Sequence, residues 1–211
     1  MRRIHEILLG LIATTLLATG CATPSRPRPV AWNLLPFPSN SDWGGPKGKP
    51  ATVSAGDLIL EGQKVRTSQV YSAPLTIDCE VELEDRHASD GSFDVEFVPP
   101  GSPSDLGSVN GRIFRMIYRN PGAYSGKDAL VFVDRDAGSP DKTAWGEQPF
   151  VVQARKPYAI RIEITTTQVR LVIDGQAHDL VGVRIPYERF YVQLGGWQPT
   201  NRWHVRNFSI H

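Results

Sequence analysis

The sequence predicts an all-β protein, an antiparallel β-sandwich of the jelly-roll type, and three observations carry that expectation. The stretch at 76–85, TIDCEVELED, alternates without a break: Ile77, Cys79, Val81 and Leu83 are apolar, while Asp78, Glu80, Glu82 and Glu84 are acids. Successive side chains of a strand point to opposite faces, so a period of two marks a half-buried strand, here with a row of carboxylates on its open face. Similar short alternating runs recur from residue 51 to the end, with hairpin-type turn signals at Asp90-Gly91, Asn110-Gly111, Asp174-Gly175 and Gly195-Gly196. No helix-length segment in that region keeps a helical period. Many short strands at such spacing pack as two sheets.

The elements follow in order. The chain opens on a basic stretch, MRRIHE, then an apolar run, ILLGLIATTLLA, then LLATGC, in which Ala18 and Gly20 precede Cys21. Small residues ahead of a cut fit a signal-peptidase cleft. LLATGC resembles a bacterial lipobox. The resemblance implies removal of residues 1–20, acylation of Cys21 and a lipid-anchored protein of the bacterial cell envelope, since several acyl chains anchor stably where one does not. Ala22 is not the Asp that often retains lipoproteins in the inner membrane, so an outer-membrane location facing the periplasm or the surface is expected.

Residues 21–50 read as the lipidated cysteine and a tether, because Pro24, Pro27, Pro29, Pro36, Pro38, Pro46 and Pro50 deny helix and ladder hydrogen bonds alike. The second half of the tether is rich in large apolar residues, and Trp32, Leu34, Leu35 and Trp43 are expected to dock on the domain. Residues 51–211 then form one sandwich, and 211 residues suffice for a single sizeable core. GDLILEG alternates and takes KVRTSQVYSAP as its hairpin partner. The acidic strand follows. FDVEFVPP sends Phe93, Val95 and Phe97 inward and Asp94 and Glu96 outward. RIFRMIY, ALVFVD, YAIRIEITT, QVRLVIDG, RFYVQLGGW and HVRNFSI complete the series. Cys79, on the apolar face of its strand, reads as a small core side chain without a disulfide partner.

The pair YAIRIEITT and QVRLVIDG, a late loop, and a closing V-x-N-x-x-I strand (VRNFSI) carry a family resemblance. Together with the opening GDLIL…VRTSQVYSAPLTIDCEVEL, they resemble the concanavalin A-like lectin/glucanase superfamily over about residues 51–211. Within it, the nearest general likeness is to the 3-keto-disaccharide hydrolase domain. The resemblance implies a concanavalin A-like jelly roll that takes a glycan or sugar ligand, with a glycoside hydrolase activity on a (3-keto-)glycoside as the enzymatic form.

Charge excludes other classes. Lys and Arg number 23 against 22 Asp and Glu, a net charge of +1, and residues 1–20 hold Arg2, Arg3 and Glu6, so the remainder is balanced. No nucleic-acid partner is expected from such a chain. No zinc spacing, phosphate-binding loop or nucleophile elbow occurs.

The acids are the first candidates for chemistry. Same-face neighbours on a strand lie ~6.5–7 Å apart at Cα, and flexible Glu side chains can bring carboxyl groups to the ~5–5.5 Å of a retaining glycosidase pair. Glu80 and Glu82 are the candidate catalytic acids, with Glu84, Asp94 and Glu96 beside them in one groove. The plainer reading is weighted above it: the acids pair with arginines such as Arg112, Arg115, Arg119, Arg161 and Arg170 on neighbouring strands. Arg112, Arg161 and the amide of Gln193 are then ligand-binding candidates. Trp145, Trp197 and Tyr124, in polar loop sequences, are candidates for stacking on a sugar ring, and Trp203 for the core. No cofactor is expected, though DRDAGSPD places the hard oxygens of Asp134, Asp136 and Asp141 in a calcium-type loop. A third class of function is a non-catalytic envelope module that binds another protein.

Overall fold

The computed structural model describes residues 30–34, 49–54, 57–87, 90–102, 111–119, 127–135, 143–179, 183–197 and 201–211. The leader, Cys21, Leu35, Trp43 and Tyr124 lie outside them. The described residues form strands and no helix: β1 (Trp32–Leu34), β2 (Lys49–Ser54), β3 (Asp57–Glu61), β4 (Lys64–Thr67), β5 (Leu75–Leu83), β6 (Gly91–Val98), β7 (Gly111–Tyr118), β8 (Ala129–Arg135), β9 (Thr143–Pro149), β10 (Pro157–Ile164), β11 (Val169–Ile173), β12 (Gln176–Asp179), β13 (Tyr191–Trp197) and β14 (Arg202–Ile210). They make two seven-stranded antiparallel sheets. The first runs β1-β4-β13-β6-β7-β8-β9 and the second β12-β11-β10-β5-β14-β3-β2.

Alternation decides which face each strand buries. On β5 the pattern is strict, with Ile77, Cys79, Val81 and Leu83 buried and the acids between them half-buried. The same holds on β10, where Tyr158, Ile160, Ile162 and Ile164 are buried. These side chains meet Phe93, Val95 and Phe97 of β6, Phe114, Met116 and Tyr118 of β7, and Val192 and Leu194 of β13 in one core between the sheets. Trp203 of β14 is fully buried and lies 5.8 Å from Phe93. Its indole nitrogen has no acceptor among the described residues.

Three sequence expectations are corrected. GDLILEG and KVRTSQVYSAP do not form a hairpin. β3 pairs with β2 and β14 in the second sheet, and β4 pairs with β1 and β13 in the first, the chain crossing the sandwich at Gly62 with φ 69°. Gly195-Gly196 is no turn but the middle of β13, hydrogen-bonded on both sides at Gly195. Its glycines answer to close packing instead: a Cβ on Gly195 would lie 2.6 Å from Lys64 Cγ, and one on Gly196 3.0 Å from Trp203 Cδ1. The sandwich also starts before residue 51, since β1 and the first residues of β2 come from the proline-rich stretch. Trp32 docks as expected, 4.8 Å from Phe208 of β14, while the side chain of Leu34 lies outside the described set. The Asp174-Gly175 turn is a true hairpin between β11 and β12, with φ 51° and 79°, the left-handed pair such a turn needs.

The closing strand carries a β-bulge. Arg206 faces Glu80 but Ser209 faces Asp78, so one extra residue is accommodated between them. Asn207 sits there at φ 51°, a conformation Asn tolerates better than most residues.

Candidate functional site

The carboxylate row of β5 lies on the outer face of the second sheet, and cations from both neighbouring strands occupy it. Asp78 takes a two-pronged hydrogen bond from Arg161 of β10, at 2.7 and 3.2 Å, and His211 stands 3.2 Å away. Arg206 of β14 bridges Glu82 at 2.8 Å, Asp57 at 3.0 Å and Glu80 at 3.4 Å. Arg202 pairs with Glu84 at 2.9 Å and with Glu61, and His204 reaches Glu84 at 3.3 Å. Hydrogen bonds to Glu82 and then Asp57 hold the Arg206 guanidinium above its ordinary pKa. Glu80 and Glu82 thus share one guanidinium. Arg161 is among the cations expected opposite this row, and Arg170 pairs with Glu163 on the same face. Arg202 and Arg206, which do most of the pairing, belong to the closing strand, whose place beside β5 no local pattern reveals.

Asp94 and Glu96 do not join that row. They lie on β6, in the first sheet, so the two sets of acids point away from each other on opposite sides of the molecule. The expected shared groove is therefore corrected: alternation assigns a residue to a face, but not a strand to a sheet.

The outer face of the first sheet holds a different arrangement. The side chains of β6 that point away from the core, Ser92, Asp94 and Glu96, are nonetheless 0–1 % exposed. Gln193 of β13 stands opposite Glu96, and Arg66 of β4 opposite Gln193. Across this row, Gln193 donates to Glu96 through its amide nitrogen and accepts from Arg66 at 3.1 Å through its oxygen. The Lys64 ammonium closes on the other oxygen of Glu96, its stem passing over the bare Cα of Gly195. Two residues along, Arg115 of β7 grips Asp94 with two bonds of 2.9 Å, and Ser92 donates to it at 2.8 Å. The Arg66 guanidinium lies 5.3 Å over the Tyr191 ring, and burial lowers its pKa against the attraction of Glu96. Lys64, Arg66, Asp94, Glu96, Arg115 and Gln193 thus form a cluster whose hydrogen-bonding groups are fixed by the sheet register.

Sequence reasoning selected Asp94, Glu96 and Gln193 but missed Lys64 and Arg66. KVRT is short, and its four residues are all buried, so alternation showed no inner and outer side. The backbone of Arg112 pairs with Phe97 and Asp134. Trp145 and Trp197 lie on β9 and β13, not in loops; their side chains are outside the described set. Asp134 pairs through its backbone with Thr143, while Asp136 and Asp141 lie outside the described residues. Among the described residues, no group of three or more His, Cys, Asp or Glu is placed to hold a metal ion.

No family model matches this sequence, and no curated protein matches it. Solved structures do. The chain superposes on the potassium-bound carbohydrate recognition domain of Emp46p with a TM-score of 0.62 at 12% identity, covering 85% of this chain and 88% of that one. With the carbohydrate-binding module CBM66 from Bacillus subtilis, the TM-score is 0.56 at 14% identity, over 86% and 96%. With the VIP36 lumenal domain in its Ca2+/Man-bound form, it is 0.59 at 8% identity, over 76% and 80%. The fold is the two-sheet antiparallel β-sandwich of these domains. At these identities the concanavalin A-like likeness is one of architecture, and it leaves the chemistry to the residues of this chain.

Proposed function

We propose that the protein is a lipid-anchored envelope protein that binds a carbohydrate on the outer face of the first sheet. The buried polar cluster of Lys64, Arg66, Asp94, Glu96 and Gln193 carries the reading. Taking charged groups out of water is costly even when they are paired, and the two-sided core of a sandwich does not require charges on an outer face. The hydrogen bonds of this row are met internally, so it acts as a rigid platform whose half-buried edge residue Tyr191 presents the contact to the sugar, and a preformed face spares the cost of ordering it on binding. Several solved structures with this fold are named as carbohydrate recognition domains or carbohydrate-binding modules, which supports the same reading. The lipobox-like LLATGC supports attachment through Cys21.

The test is a glycan array probed with the full chain and with Gln193→Ala and Glu96→Gln. Binding by the wild type and its loss in both folded variants is the expected outcome. Undiminished binding by both variants moves the site elsewhere.

One observation favours a second, enzymatic reading. Asp94 and Glu96 are same-face carboxylates on rigid strand backbone, ~6.5–7 Å apart at Cα, buried and hydrogen-bonded. Hydrolysis of a (3-keto-)glycoside by that pair predicts reducing-sugar release that Asp94→Asn and Glu96→Gln each abolish. Glu80→Gln with Glu82→Gln leaves it intact, because those acids sit on the opposite face around Arg206.

A further inference from the structure

The ends of three consecutive strands of the first sheet border an open surface cavity of about 450 Å3, apart from the buried polar cluster. Arg119 follows β7, Lys127 and Asp128 precede β8, Pro149 ends β9 and Phe150 and Val151 follow it, with Arg86 completing the lining. Asp128 is the frame. It accepts two bonds from Arg86, at 2.6 and 2.9 Å, and the backbone N–H groups of Arg119 and Val152 at 2.9 and 3.0 Å. Arg86 is committed to the same frame: it donates to the carbonyls of Val152 and Arg119 at 2.8 and 3.0 Å and lies 5.0 Å over the Tyr118 ring. Arg119 donates to Glu147 at 3.0 Å and to the Lys127 carbonyl at 3.2 Å.

Two groups are left over. The exposed Lys127 ammonium meets no carboxylate among the described residues, and Arg86, Arg119 and Lys127 outnumber Asp128 and Glu147 by one charge. Val151 stands beside them 67 % exposed, one of two large apolar side chains so placed among the described residues. An uncompensated cation next to an apolar wall, at the mouth of a cavity large enough for a sugar ring, defines a ligand with both features.

We propose that this cavity binds a small carboxylate carried on a ring with an apolar face, and that a uronic acid unit is its carbohydrate form. The carboxylate meets the Lys127 ammonium beside Arg119, and the ring lies on Pro149, Phe150 and Val151. The site is separate from the glycan face proposed above and stands or falls independently of it.

Isothermal titration of the detergent-solubilised full chain with glucuronate, and with glucose as the uncharged comparator, tests the assignment. Glucuronate binds, glucose does not, and added salt weakens the binding. Lys127→Ala lowers the affinity about five-fold, the effect of one exposed ion pair, and Val151→Asp abolishes binding by placing a like charge on the wall. Both side chains are exposed, so both variants keep the wild-type melting temperature. Equal binding of glucose, wild-type affinity in both variants, or no glucuronate binding at all overturns the proposal. If the last result accompanies binding of neutral glycans on the array, this site is lost and the face at Glu96 is retained.

Discussion

Gly195 and Gly196 show how much a single missing Cβ decides. They sit side by side on one strand and point to opposite faces, so each serves a different layer. Gly196 faces the core, where the Trp203 ring occupies the space a methyl group would take. Gly196→Ala is therefore expected to lower stability by about 1–3 kcal/mol, the cost of overpacking a filled core, measured as a shift in the urea midpoint. Gly195 faces outward, and an added methyl meets the flexible stem of Lys64, which can move aside. Read from the sequence, Gly-Gly signalled a turn, because glycine's use in turns is local while its use under a neighbour's side chain depends on contacts from residues far away. Cys79 was legible for the opposite reason. Its place in an alternating strand gives its face, and burial beside Asp78 pushes the thiol up to about 12, leaving it protonated and inert.

At the scale of elements, the acidic strand divides into what its sequence shows and what its neighbours add. The outward row of acids was legible from the period of two. The cations that hold it come from β10 and β14, and the pairing of β5 with these strands, 83 positions later at Asp78–Arg161 and 126 at Glu80–Arg206, is set by topology. Glu84 illustrates the consequence. Burial raises its pKa, but hydrogen bonds from His204 and Arg202 outweigh that, and the folded-state value lies below the ordinary 4.5. The unfolded chain thus takes up this proton at higher pH than the folded one. The stability Glu84 contributes is complete above its unfolded pKa and is lost as the pH falls through the lowered folded value. Urea unfolding of wild type and Glu84→Gln should differ at pH 7 and converge in acid; a gap that stays constant down to pH 3 contradicts this account. β6 teaches the reverse lesson. Its alternation was read correctly, yet the burial of its outward side, the property that singles out Asp94 and Glu96, depends on β4, β7 and β13.

The whole molecule closes late in the chain. The sandwich architecture was legible in the strand count and spacing, whereas the order of strands within each sheet was not, because pairing is a long-range choice that short periodic runs do not encode. β14 is not an edge strand; it sits between β5 and β3 in the middle of the second sheet. Removing residues 202–211 leaves two half-sheets with unpaired inner edges and takes Trp203 and Val205 from the core. The truncated chain is expected to lack a cooperative thermal transition in circular dichroism, and a sharp transition retained without β14 contradicts this placement. The first described strand depends on the last as well, since Trp32 rests on Phe208. For a chain threaded N-terminus first through a membrane, as the proposed export requires, no intermediate length can complete the second sheet. Such a chain stays open, with strand edges unsatisfied, until Arg202–Ile210 has crossed. Passage of β14, and not of any earlier segment, then sets the moment at which the second sheet acquires its shape.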